Sequence, residues 1–89
     1  MENVSDVIGR NIRFYRKQIG LTQEKLAEKA DLDRSYVGGV ERGNYNVSIE
    51  TLAKIAHSLQ VEPFVLLVER TDTHAFVSLA EHVQIPDKE

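Results

Sequence analysis

Apolar residues recur along the first twenty positions at spacings of three and four. This spacing is typical of one face of an amphipathic helix. The apolar stripe consists of Val4, Ile8, Ile12, Tyr15 and Ile19. Gly20 predicts the end of the helix, because glycine readily adopts the left-handed conformation at which helices terminate.

Helix-capping residues and apolar spacing predict four more helices. Thr22 is a suitable N-cap for residues 23–30, Asp33 for 34–42, and Ser48 for a helix through Leu59. Pro63 fits the first position of a fifth helix, because its missing N–H has no partner there in any case. The residues expected in the core are Leu26, Ala27, Ala30, Val37, Val40, Leu52, Ile55, Ala56 and Leu59. The pattern therefore predicts a compact all-α domain of residues 1–70.

The C-terminal extension, residues 71–89, allows two interpretations. A short sixth helix would place Phe76, Leu79, Ala80 and Val83 on one side. An extended arm that becomes ordered only against a partner fits equally well. Pro86 would end either structure.

Composition excludes several classes of protein. The 89 residues suffice for one small domain, and 42% hydrophobic with 28% charged residues suits a soluble fold. The absence of cysteine excludes disulfides and zinc ribbons. No apolar run approaches the roughly 20 residues that span a bilayer, and the N-terminus lacks the basic start of a signal peptide. We therefore expect no membrane partner, and the lack of cysteine is compatible with a reducing cytosol.

The net charge of −3 conceals an uneven distribution. Residues 10–25 carry five basic side chains and one acidic one, whereas residues 71–89 carry four acidic and one basic. The excess of positive charge is thus concentrated in one stretch. Charge alone neither establishes nor excludes binding to nucleic acid.

Two predicted helices, 23–30 and 34–42, are separated by a short turn, which is the arrangement of a helix-turn-helix. The segments that carry a family likeness are GLTQEKLA at 20–27, SYVGGVERG at 35–43 and SIETLAKIA at 48–56. Over about residues 7–68 the chain resembles the Cro and phage-repressor family of DNA-binding regulators. Around residues 33–36 and 46–48 it is most similar to the small controller proteins of restriction–modification systems. The resemblance implies a five-helix, lambda-repressor-like domain that binds double-stranded DNA. It also implies a cytoplasmic, nucleoid-associated protein of bacterial or phage origin.

The face of helix 34–42 opposite Val37 and Val40 is expected to meet base edges in the major groove. The residues predicted there are Arg34, Ser35, Tyr36, Gly38 and Gly39. Arginine can donate two hydrogen bonds to guanine, and tyrosine can lie against a thymine methyl group. Adjacent glycines within a helix are costly. Either close approach of the backbone to DNA or tight packing against another helix would explain them.

Other positions are predicted to bind phosphates, which fixes register without reading sequence. These positions are Gln23, Arg42, Asn44 and Asn46. The resemblance places Gln23 at a helix N-terminus that contacts the DNA backbone. It also implies an ion pair between Glu41 and an arginine of the first helix, for which Arg16 is the candidate. Asp31 stands where the turn usually has glycine, and aspartate tolerates the left-handed conformation.

The sequence thus predicts a homodimeric transcription regulator that recognises an inverted repeat. The dimer interface is expected at Phe64, Leu67 and Val68, although these residues would also serve to close the core. The alternative function is a protein-interaction module, such as the antitoxin of a toxin–antitoxin pair, with the tail as the binding segment. His57, His74 and His82 are too dispersed for a metal site. No metal, cofactor, small-molecule ligand or catalytic site is predicted.

Overall fold

The first helix, α1, spans Val4–Gln18. Its N-cap is Asn3, whose side chain accepts a hydrogen bond from the Asp6 N–H. The architecture comes from a computed structural model that describes residues 3–69. Within this range four α-helices are followed by one 3-10 helix. The all-α prediction is confirmed for these residues, whereas the extension at 71–89 lies outside them.

Helices α2 (Gln23–Ala30) and α3 (Arg34–Glu41) form the helix-turn-helix. Their N-caps are the predicted ones, since Thr22 accepts from the Lys25 N–H and Asp33 from the Ser35 N–H. Asp31 adopts the left-handed conformation with φ 57°, so the turn forms without glycine. Helix α3 ends one residue earlier than predicted, because Arg42 serves as its C-cap.

Helix α4 spans Ile49–Leu59, and Ser48 caps it by accepting from the Thr51 N–H. The fifth element differs from the prediction: Pro63–Leu67 is a 3-10 helix. The buried Asn11 amide of α1 donates to carbonyl oxygens of this segment, at 2.9 Å to Leu66 and 3.0 Å to Val68. A side chain of α1 thus satisfies carbonyl groups at the end of the segment, and the α-helical spacing assumed for Phe64, Leu67 and Val68 is wrong.

The core lies among all five elements. All the predicted core residues of α2, α3 and α4 are buried. Of the apolar stripe predicted for α1, Ile8 and Ile12 in the middle are buried. Val4 and Ile19 at its ends are 61% and 42% exposed. The 3-10 helix contributes Val65 and Leu66, which the helical spacing had missed. No helix within residues 3–69 has the length and apolar character needed to cross a membrane.

Candidate nucleic-acid interface

An open groove runs along α3, from its first turn to its C-cap, beside the N-terminus of α2. It is lined by Gln23, Arg34, Ser35, Gly38 and Arg42. Gln23 is the first residue of α2, and Arg34 and Ser35 are the first two of α3. The structure therefore brings together three of the predicted base-contact residues and two of the predicted phosphate-contact residues. Both arginines are exposed and available to a ligand in the groove.

Beneath the groove an ion pair joins α1 to α3, and it is the predicted pair. Arg16 donates from Nε to Glu41 Oε2 at 2.6 Å and from Nη2 to Glu41 Oε1 at 3.0 Å. The Arg16 side chain is 10% exposed and that of Glu41 is 3% exposed. Arg16 also donates to the Leu21 carbonyl oxygen at 2.9 Å. Such a bidentate, buried pair fixes the orientation of both side chains.

Gln23 belongs to the same network. Its Nε2 donates to Glu41 Oε1 at 3.0 Å, so the side chain is held at the wall of the groove. Since the Glu41 carboxylate is occupied by Arg16 and Gln23, it is not directed at the groove as a bare negative charge. The sequence pattern predicts a phosphate contact for Gln23 but does not indicate its hydrogen bond to Glu41.

Gly38 and Gly39 are both buried, although Gly38 lines the groove. A Cβ at Gly38 would lie 3.3 Å from Arg42 Nη1 and 3.5 Å from Gln23 Oε1. A Cβ at Gly39 would overlap the ring of Tyr45. Tight packing within the chain therefore accounts for Gly39. Contact of either glycine with a base stays a prediction.

The loop after α3 carries the other predicted phosphate contacts, and its asparagines are exposed. The Asn44 N–H donates to the Gly39 carbonyl oxygen at 2.9 Å. Asn46 Oδ1 accepts from the Ser5 hydroxyl of α1 at 3.1 Å. Asn46 thus has a role in anchoring the loop that its position in the sequence did not indicate.

Tyr45 is the residue at this surface that the sequence analysis missed. The residue is 46% exposed, and its ring packs against that of Tyr36, with ring centroids 5.1 Å apart. The signal in the sequence was an aromatic residue in a turn six positions after a mid-helix glycine. The role of Tyr45 can be inferred only from the structure, in which the loop packs against α3.

The predicted dimer residues lie on a different element. Phe64 and Val68 are half-buried, and Leu67 is 50% exposed. Phe64 packs against the core, so the expectation that some of these residues close the core is confirmed. The 3-10 helix packs on α1 and α4, whereas α3 packs on α1 and α2.

Comparison with known proteins identifies the family. The helix-turn-helix family model matches residues 12–66. An immunity repressor of Bacillus phage phi105 is 42% identical over 64 residues, which are 72% of this chain but 44% of the repressor. The chain therefore matches less than half of that longer protein.

Two solved structures have the same fold. The restriction–modification controller protein C.AhdI from Aeromonas hydrophila is 48% identical, with a TM-score of 0.68 over 70% of this chain and 94% of its own. SinR, a master regulator of biofilm formation solved in complex with DNA, is 40% identical, with a TM-score of 0.66 over 68% of this chain and 98% of its own. With the family match covering more than half of the sequence, this chain belongs to the helix-turn-helix family.

Proposed function

We propose that this chain is a sequence-specific DNA-binding transcription regulator that acts as a homodimer on an inverted repeat. The observation that carries the proposal is the groove between α2 and α3, where Arg34 and Arg42 stand exposed beside Ser35 and Gly38. A groove with two guanidinium groups suits a polyanion whose base edges and phosphates lie close together.

The two helix N-termini at the groove favour the same ligand. Unpaired backbone N–H groups and the positive end of the helix dipole attract phosphate at such positions. Gln23 and Arg42 are the proposed phosphate contacts of the groove, with Asn44 and Asn46 on the loop that follows α3. Arg34, Ser35 and Tyr36 are the proposed base contacts, since they occupy the N-terminal turn of the reading helix.

The relatives support a regulatory role. C.AhdI is a restriction–modification controller protein, and SinR was solved in complex with DNA. We extend the controller role to this chain, with the genes of a restriction–modification system as the proposed target. The proposal includes action in the cytoplasm and no enzymatic activity.

The proposed dimer uses the 3-10 helix. Leu67 presents an apolar side chain that is 50% exposed between the half-buried Phe64 and Val68. Burying such a side chain in a dimer is favourable, because it removes apolar surface from water. Two copies related by a two-fold axis would present two reading helices to half-sites about 34–36 Å apart.

Selection from a random pool of DNA duplexes at one salt concentration tests the proposal. Enrichment of an inverted repeat is expected, and the spacing of its halves would give the geometry of the dimer. A folded chain that enriches no sequence would contradict the proposal. That outcome would favour the protein-interaction module, with residues 71–89 as the binding segment.

The variant Arg34→Ala tests the placement of the reading surface. Loss of a bidentate contact to guanine should reduce discrimination at one base pair by about 1–3 kcal/mol. Arg13→Ala is the matched control, because it removes the same charge from an exposed position of α1 outside the groove. Dissociation constants for the selected duplex and its single-base variants give the comparison. Equal base preference in both variants would show that Arg34 does not read sequence.

A further inference from the structure

The rings of Tyr36 and Tyr45 stack at the surface of α3. Their centroids lie 5.1 Å apart and their planes are inclined by 33°, within the range of favourable aromatic pairs. Tyr36 is the third residue of α3 and is half-buried, whereas Tyr45 belongs to the following loop and is 46% exposed. A ring of the loop therefore supports a ring of the proposed reading helix.

The loop is held on both sides of Tyr45. On one side the Asn44 N–H donates to Gly39 O at 2.9 Å. On the other, the Ser5 hydroxyl donates to Asn46 Oδ1 at 3.1 Å. The position of the Tyr45 ring thus follows from contacts of its neighbours with both α3 and α1.

Gly39 provides the space that the Tyr45 ring occupies. A Cβ at position 39 would overlap Tyr45 Cε2 and would lie 2.9 Å from Cδ2 and 3.2 Å from Cζ. Glycine inside a helix lowers stability relative to alanine. The chain therefore keeps a costly residue at the one place where a methyl group would displace this ring.

We propose that Tyr45 is a positioning residue that sets base preference through Tyr36. By stacking on Tyr36 it holds that side chain in one conformation before DNA arrives. Tyr36 then contacts a base edge, with the thymine methyl group as the proposed target. Ordering a side chain in advance removes an entropic cost of binding. The proposal rests on the proposed function, because it assumes that α3 reads DNA.

The test uses the full chain and the duplex selected by the wild type. Tyr45→Ala removes the supporting ring, Gly39→Ala displaces it, and Tyr45→Phe keeps it. The readout is the ratio of dissociation constants for the selected duplex and for duplexes changed at one base pair. A duplex with uracil in place of thymine examines the methyl group alone.

Tyr45→Ala and Gly39→Ala should both reduce the preference at the base pair read by Tyr36, by roughly threefold to tenfold, as expected for the loss of one aromatic pair. Tyr45→Phe should stay within about twofold of the wild type, because its ring stacks as before. In a Tyr36→Ala background, Tyr45→Ala should have no further effect on preference. Thermal unfolding should show that Gly39→Ala remains folded, since the Tyr45 ring ends a side chain and has room to swing outward.

Preference unchanged in Tyr45→Ala would overturn the proposal. An equal loss of affinity for every duplex would overturn it too, because that result indicates a phosphate contact. If the wild type selects a sequence and Arg34→Ala weakens its base preference, the proposed function stands. Either of the two outcomes above then refutes only the proposed role of Tyr45. A wild type that enriches no sequence refutes the proposed function together with this inference.

Discussion

Within residues 3–69, two residues other than glycine adopt the left-handed conformation, and each ends a helix. Asp31 has φ 57° after α2, and Gln60 has φ 64° after α4. The conformation places Cβ close to the carbonyl oxygen, at a cost of roughly 1–2 kcal/mol per residue. Aspartate and asparagine lower this cost with local hydrogen bonds, whereas glutamine has a longer side chain. Gln60 is therefore the more strained of the two.

Gln60→Gly should raise the free energy of unfolding by about 0.5–1 kcal/mol, since the relief of strain exceeds the entropy that glycine adds to the unfolded chain. Gln60→Ala is the matched control, because alanine keeps the Cβ and should bring no such gain. Urea denaturation followed by circular dichroism gives both values. An equal gain from alanine would show that the glutamine side chain, rather than the backbone conformation, is the source of the effect.

Single residues also mark where the sequence was informative. Thr22, Asp33 and Ser48 were predicted as N-caps and serve as N-caps, because capping depends on neighbours three positions away or fewer. Gly39 was ambiguous, because the ring that explains it belongs to a loop whose path is set by long-range contacts. Local chemistry was predictable, whereas the contact of Gly39 with a loop residue was not. The predicted contact between helices, Arg16 with Glu41, came from the family resemblance.

At the scale of elements, one network joins three helices. Arg16 of α1 and Gln23 of α2 both donate to the Glu41 carboxylate of α3. Breaking a buried pair by removing one charge leaves the other without compensation, which costs several kcal/mol. A single carboxylate therefore links α1, α2 and α3, in addition to the apolar core that the three helices share.

Glu41→Gln should lower the free energy of unfolding by about 3–5 kcal/mol, because it leaves the buried Arg16 unpaired. Glu28→Gln makes the same chemical change in the exposed Lys25–Glu28 pair, whose side chains are 64% and 62% exposed. It should cost under about 0.5 kcal/mol. Chemical denaturation of the two variants provides the comparison, and equal costs would mean that the Glu41 pair contributes no more than a surface pair.

The boundaries of α2 followed from its sequence, and those of α3 did within one residue. The 3-10 conformation of Pro63–Leu67 did not follow from its sequence, because the Asn11 amide that binds carbonyl groups there lies more than fifty positions earlier. The candidate groove was predicted in large part through the family resemblance. Its aromatic support at Tyr45 was not, since no local pattern brings a loop residue onto Tyr36.

At the scale of the molecule, exposed apolar side chains lie both inside and outside the proposed dimer interface. Leu67 on the 3-10 helix is 50% exposed, and Ile49 at the start of α4 is 84% exposed. The proposed dimer buries the first of these and not the second. A charge at each position therefore distinguishes an interface from an ordinary exposed side chain.

Leu67→Glu should convert the dimer to a monomer, because the interface would have to bury an unpaired carboxylate. Ile49→Glu should leave the mass unchanged. Light scattering after gel filtration measures the mass over a range of concentrations, and thermal unfolding tests whether each variant is folded. Equal masses for Leu67→Glu and the wild type would place the interface elsewhere.

Neighbouring residues of α1 contact α3 and the segment that carries the proposed dimer contacts. A Cβ at Gly9 would lie 2.6 Å from the Val40 carbonyl oxygen of α3, so the two backbones nearly touch. Two residues later, Asn11 binds the segment that carries the proposed dimer contacts. In the proposed dimer the separation of the reading helices is therefore a fixed length. An operator whose halves do not match that length must bend or twist to fit. The stiffness of the DNA between the half-sites then affects affinity, although no side chain of the protein touches those base pairs.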